Sequence, residues 1–175
     1  MNLMFRKLLV MFLLLFMIGA IGLSEGGSSV KKIGNGSKET NVEALQKATQ
    51  NATDALYIDL LKLTLSQFND DLNESSFILD EFIRKNISNR DAMVASTSLY
   101  VLTSHTLNSI NQTQPPKKYA TYFNFTIRAL ENLEEYLWNM GKFYETSKTD
   151  YAITARMNFN TSMYYYEKGR EGISL

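Results

Sequence analysis

The chain has 175 residues, sets 18 Lys and Arg against 18 Asp and Glu, and contains no cysteine. Disulfides, thiolate metal sites, thiol nucleophiles and covalent haem attachment are therefore excluded. With no basic surplus to release counterions from a polyanion, nucleic acid is not expected as a partner.

The first element is an export signal. Arg6-Lys7 precede an uncharged apolar run from Leu8 to Leu23, and that order leaves the charge in the cytoplasm while the apolar segment enters the bilayer. The run is slightly shorter than the ~20 apolar residues that span a membrane. Ala20-Ile21-Gly22 and Gly22-Leu23-Ser24 also space small residues as a signal peptidase accepts them. Residues 1–23 thus read either as a cleaved signal peptide or as an uncleaved membrane anchor, which would make the membrane itself a partner. Residues 24–39, rich in Gly, Ser and Lys, read as a flexible tether. The remainder of the chain is long enough for one domain with its own core.

No glycine falls between Gly36 and Gly141, and Pro115-Pro116 are the only prolines, a pattern that favours long helices. The first is expected to start at a Thr40/Glu43 capping box. Its apolar positions form a row through Leu45, Ala48, Ala52, Leu56, Leu60 and Leu63, joined by a second row through Leu61, Leu65, Phe68 and Leu72. Turn-type residues over Asn69–Ser76 predict a break, with the helix ending near Asp70 and a second starting near Ser76. That second helix runs to Gln112, ahead of the prolines. Ser88 or Asn89 could cap a new helix within it, which would raise the count to five.

The third helix carries an apolar stripe through Tyr119, Phe123, Ile127, Leu130, Leu133, Leu137, Met140 and Tyr144, with Asn124, Arg128, Glu131, Glu135, Asn139 and Lys142 on its polar side. A turn near Glu145–Thr149 precedes a weakly amphipathic last helix through Ala152, Ala155, Phe159, Met163 and Tyr166. Gly169 and Gly172 suggest a frayed tail over 169–175. The expected fold is all-α, an up-down-up-down four-helix bundle over residues 40–168.

Asn-x-Ser/Thr recurs at Asn35, Asn51, Asn73, Asn86, Asn111, Asn124 and Asn160, where composition alone would give roughly two or three such triplets. These are the candidate glycosylation sites. Together with export and the absence of cysteine, they fit an archaeal cell-surface protein. The aromatic residues Tyr122, Phe125, Tyr164 and Tyr165 meet if the last two helices pair antiparallel, and they form the candidate interaction surface.

The chemical inventory is sparse. His105 is the single histidine, which rules out paired Glu-x-x-His di-iron sites and multi-imidazole zinc sites, and it reads as a partly exposed helix residue rather than a haem ligand. Glu131, Glu134 and Glu135, with Arg128 nearby, read as a solvated charged face. Asp70, Asp71 and Glu74 lack the spacing of a calcium loop. No cofactor, metal or catalytic set is expected, so an enzyme ranks last. The expected function is a non-enzymatic structural or interaction role at the cell surface, with envelope proteins or glycans as partners. The alternative is an extracytoplasmic ligand-binding or sensory domain, which a polar cavity near Tyr122 or Tyr165 would favour.

Overall fold

The computed structural model describes residues 38–174, with side chains described over 53–173. The expected leader, most of the tether, the Thr40 cap side chain, and Asn35 and the side chain of Asn51 lie outside these ranges. Among the described residues four helices occur in order: α1 (Lys38–Ile83), α2 (Asn89–Asn111), α3 (Ala120–Thr146) and α4 (Thr149–Glu171), with single 3-10 turns at Lys117–Tyr119 and Gly172–Ser174. From Val42 onward the helices belong to one compact unit. None of the described helices is long and apolar enough to cross a membrane.

Side-chain pairs fix the up-down arrangement. Along α1 and α3, Tyr57 meets Phe123 with tilted rings, Ser75 bonds Tyr136 and Phe82 meets Tyr144, so these two helices run in the same direction. Ser96 donates to the Leu137 carbonyl at 2.9 Å and Asn89 to that of Tyr144 at 3.0 Å, so α2 runs against α3. Ser162 donates to the Ala129 carbonyl at 2.8 Å while Phe125 stacks on Tyr165, so α4 runs against α3 as well.

The helix count of four is as expected, but the boundaries are not. α1 continues for 46 residues through Asn69–Ser76 without a break. The expected break there is corrected, because the polar residues bond across the bundle instead of capping. Asp71 accepts from Thr103 of α2 at 2.8 Å, Ser75 donates to Tyr136 of α3 at 2.9 Å and Asn69 donates to Tyr166 of α4. Ser76 bonds back to the Leu72 carbonyl, which is compatible with an unbroken helix.

The chain turns at Arg84–Ser88, where Lys85 adopts a left-handed conformation (φ 61°). Ser88 then caps α2 in a reciprocal box with Asp91, as its residue type allows. The serine's hydroxyl and amide bonds hold the Asp91 carboxyl below its usual range. Asn89 also reaches Ser147 Oγ at 3.3 Å, clipping the α1–α2 turn to the α3–α4 turn.

The core is built from Leu61, Leu65 and Phe68 of α1 against the stripe of α3, with Leu130, Leu133, Leu137 and Tyr144 nearly inaccessible. Of the other apolar row of α1, Leu56 and Leu63 face outward, 72 % and 59 % exposed, and Leu60 is half-buried. Asn139, expected on the polar side of α3, is buried and donates to the Glu135 carbonyl at 2.7 Å. At the start of the expected tail, α4 runs on to Glu171. A Cβ on Gly169 would sit 2.8 Å from Thr126 Oγ1, and one on Gly172 would strike the Tyr122 ring. Both glycines let α4 and its terminal turn approach α3 closely.

Leu61→Ala is expected to destabilise the chain by about 2–5 kcal/mol, and Leu56→Ala by no more than about 0.5 kcal/mol. Chemical denaturation of the two variants checks which row faces the core.

Candidate functional site

The surface feature with the chemistry of a binding site lies between α2 and α3. Because Ser96 ties α2 to the Leu137 carbonyl, the neighbouring positions Tyr100 and Trp138 are brought to the same rim, with ring centroids 5.5 Å apart and planes tilted by 49°. Trp138, the single tryptophan, is 46 % exposed. Its indole follows Leu137 of the core stripe by one residue, which turns it about 100° away from the interior. Lys142, one turn on, sits 4.9 Å over the indole and donates to Glu145 at 2.8 Å. The Glu145 carboxylate holds the Lys142 ammonium above its ordinary pKa.

Met93, Thr97 and Gly141 complete a shallow depression of about 130 Å³ at this rim. A second open depression of about 370 Å³ shares Tyr100 and continues along α2 past Ser104, Asn108 and Gln112. His105 borders it and is exposed; its Nδ1 lies 3.3 Å from Ser109 Oγ.

The expected aromatic surface forms at the other end of α3. Phe125 stacks on Tyr165 at 6.1 Å, Tyr164 meets Tyr165 at 5.3 Å, and Arg128 donates to the Tyr165 hydroxyl at 3.1 Å. Tyr164 is the exposed ring of the three consecutive tyrosines and Tyr166 the buried one. Tyr122 packs at Gly172, apart from this stack. The two depressions lie at Tyr100 rather than at Tyr122 or Tyr165.

The described sequons fall into two groups. Asn73, Asn124 and Asn160 are exposed within helices, but their third residues Ser75, Thr126 and Ser162 are buried and bonded to Tyr136, the Tyr122 carbonyl and the Ala129 carbonyl. Positions i and i+2 on a helix lie about 200° apart, so an outward asparagine pairs naturally with an inward hydroxyl. Packing thus accounts for these three triplets by itself. Asn86 and Asn111 are different: both are exposed at helix ends, and neither Ser88 nor Thr113 is buried.

Among the described residues, no group of three or more His, Asp or Glu side chains could hold a metal ion. The carboxylate most deeply buried is Asp71, 2 % exposed, bonded by Thr103 at 2.8 Å and Gln67 at 2.6 Å. Both partners are neutral, so burial dominates and pushes its pKa up to about 6, with Asp70 adding to the rise and the two hydrogen bonds opposing it. The sequence alone places Asp71 in a turn and does not single out Tyr100 or Trp138. No spacing rule joins positions 100 and 138, and the available signal was an isolated tryptophan off the core stripe. No protein-family model, curated protein or solved structure matches this chain.

The raised Asp71 pKa has a definite consequence for stability. Its carboxyl releases a proton near pH 3.8 when unfolded and near 6 when folded, so the folded chain binds more protons in between. Stability is therefore lost as pH rises across that window, by about 3 kcal/mol in total. Denaturation at pH 4 to 7 is expected to show this loss in the parent and not in Asp71→Asn. A constant stability difference between the two proteins would contradict it.

Proposed function

We propose that this chain is an exported cell-surface helical bundle with a non-enzymatic interaction role. The single observation that carries the interaction role is the pair Tyr100 and Trp138, at the rim of a depression between α2 and α3 on a bundle whose interior is filled by leucines and aromatic rings. A half-exposed tryptophan beside a tyrosine has the chemistry of a recognition hot spot. Export is supported by Arg6-Lys7 ahead of Leu8–Leu23, which act as signal peptide or anchor. In this reading Asn86 and Asn111 are the described positions that carry glycans, because both are exposed and core packing does not account for their triplets.

Protease added to intact cells is expected to digest the chain while a cytosolic marker survives. Recovery of the undigested chain with the cytosolic fraction would contradict export. Peptide mapping of the native protein is expected to place added sugar mass on Asn86 or Asn111, and bare peptides at both would remove glycans from the reading.

A further inference from the structure

We propose that the C-terminal half of α2, residues 103–111, is a pH-gated flap: it lies closed on α1 while Asp71 is protonated and lifts when Asp71 ionises. Such a device operates whether or not Tyr100 and Trp138 bind a partner. The two halves of α2 are held differently. Asn89 donates to the Tyr144 carbonyl at 3.0 Å and Ser96 to that of Leu137 at 2.9 Å, so two side chains pin the N-terminal half to the backbone of α3. In the C-terminal half, Thr106 and Ser109 bond back to carbonyls of α2 itself. There the side-chain bond that crosses to another helix, among the described residues, runs from Thr103 to Asp71. Leu107 and Ile110 are buried beyond it, and the irregular residues 113–116 that follow leave slack before the start of α3.

Thr103 is fully inaccessible and Asp71 is 2 % exposed, so the threonine roofs the carboxyl. Ionised there, Asp71 keeps its hydrogen bonds from Thr103 and Gln67, but a buried charge without an opposite charge is costly. Along α1 its neighbours are the acids Asp70 and, one turn on, the exposed Glu74. From α2 it meets Thr103, with His105 exposed on the outer side. From α3 and α4 come the hydroxyls of Tyr136 and Tyr166, bonded to Ser75 and Asn69 on either side of it. None of these groups neutralises a carboxylate, whereas water solvates it once residues 103–111 lift. Burial pushes the Asp71 pKa up to about 6 in the closed form, and lifting returns it toward the ordinary carboxylate range. The closed form is therefore favoured in acid and loses its advantage as pH rises through 6. Lifting uncovers Leu107 and Ile110, so neutral solution presents an apolar strip that acid hides.

Hydrogen exchange of the full chain in detergent, corrected for the intrinsic pH dependence of amide exchange, tests the flap. Amides of residues 106–110 are expected to exchange through a local opening that barely responds to denaturant, whereas those of residues 130–137 in α3 need global unfolding. With the carboxyl titrating near 6 when closed and near 3.8 when open, the local opening should become roughly fiftyfold more populated from pH 4 to pH 7. Asp71→Asn should abolish that pH dependence, and His105→Gln should leave it in place. Thr103→Val removes a hydrogen bond that favours the ionised carboxyl, so it should move the midpoint to higher pH, and it keeps the test available if Asp71→Asn does not fold. Exchange of residues 106–110 only with global unfolding overturns the proposal. So does a local opening that is indifferent to pH, as when water reaches Asp71 past Gln67 alone, or one whose pH dependence survives in Asp71→Asn or disappears in His105→Gln.

Discussion

The fold depends on a short polar stretch in the middle of α1. Within Asn69–Ser76, one side chain reaches each of the other three helices: Asn69 bonds Tyr166 of α4, Asp71 bonds Thr103 of α2 and Ser75 bonds Tyr136 of α3. Each such bond contributes only about 0.5–1.5 kcal/mol net, but leaving any buried partner unmade costs more. Apolar rows alone would permit α1 to rotate or slide against its neighbours. Three bonds from less than two turns fix both rotation and height, and they explain why α1 buries Leu61, Leu65 and Phe68 while Leu56 and Leu63 face water.

The same constraint accounts for what the sequence discloses and what it withholds. The stripe of α3, the Pro115-Pro116 connection, the turn before Thr149 and the Ser88 cap are legible because each rests on local chemistry: periodicity, a missing amide or a capping hydroxyl. Asn69–Ser76 is misleading because the residues that stop helices are also those that hydrogen-bond across a bundle. Only the partners Thr103, Tyr136 and Tyr166 distinguish the two uses, and those lie far along the chain. α1 likewise carries two apolar rows of similar quality, and the choice between them is made by the neighbouring helices. The candidate site was the least legible part, since Tyr100 and Trp138 meet only after Ser96 has docked on Leu137.

Stability and recognition are separated in this molecule. The hydroxyls of Ser75, Thr126 and Ser162 serve the core, and the asparagines two residues before them face solvent. The Asp71 carboxylate is likewise explained by packing, as an anchor for Thr103 and Gln67 that lowers stability once ionised. What packing does not require is a half-exposed indole beside a tyrosine at the rim between α2 and α3, and the proposed function rests on that surplus.

Native-state hydrogen exchange across α1 tests the central claim most directly. If the polar stretch is an interior junction, the amides of Asn69–Ser76 exchange as slowly as those of Leu61–Phe68 and only through global opening. Exchange of that stretch as fast as the turn at Arg84–Ser88 would show a hinge in place of a continuous helix, and would contradict the account.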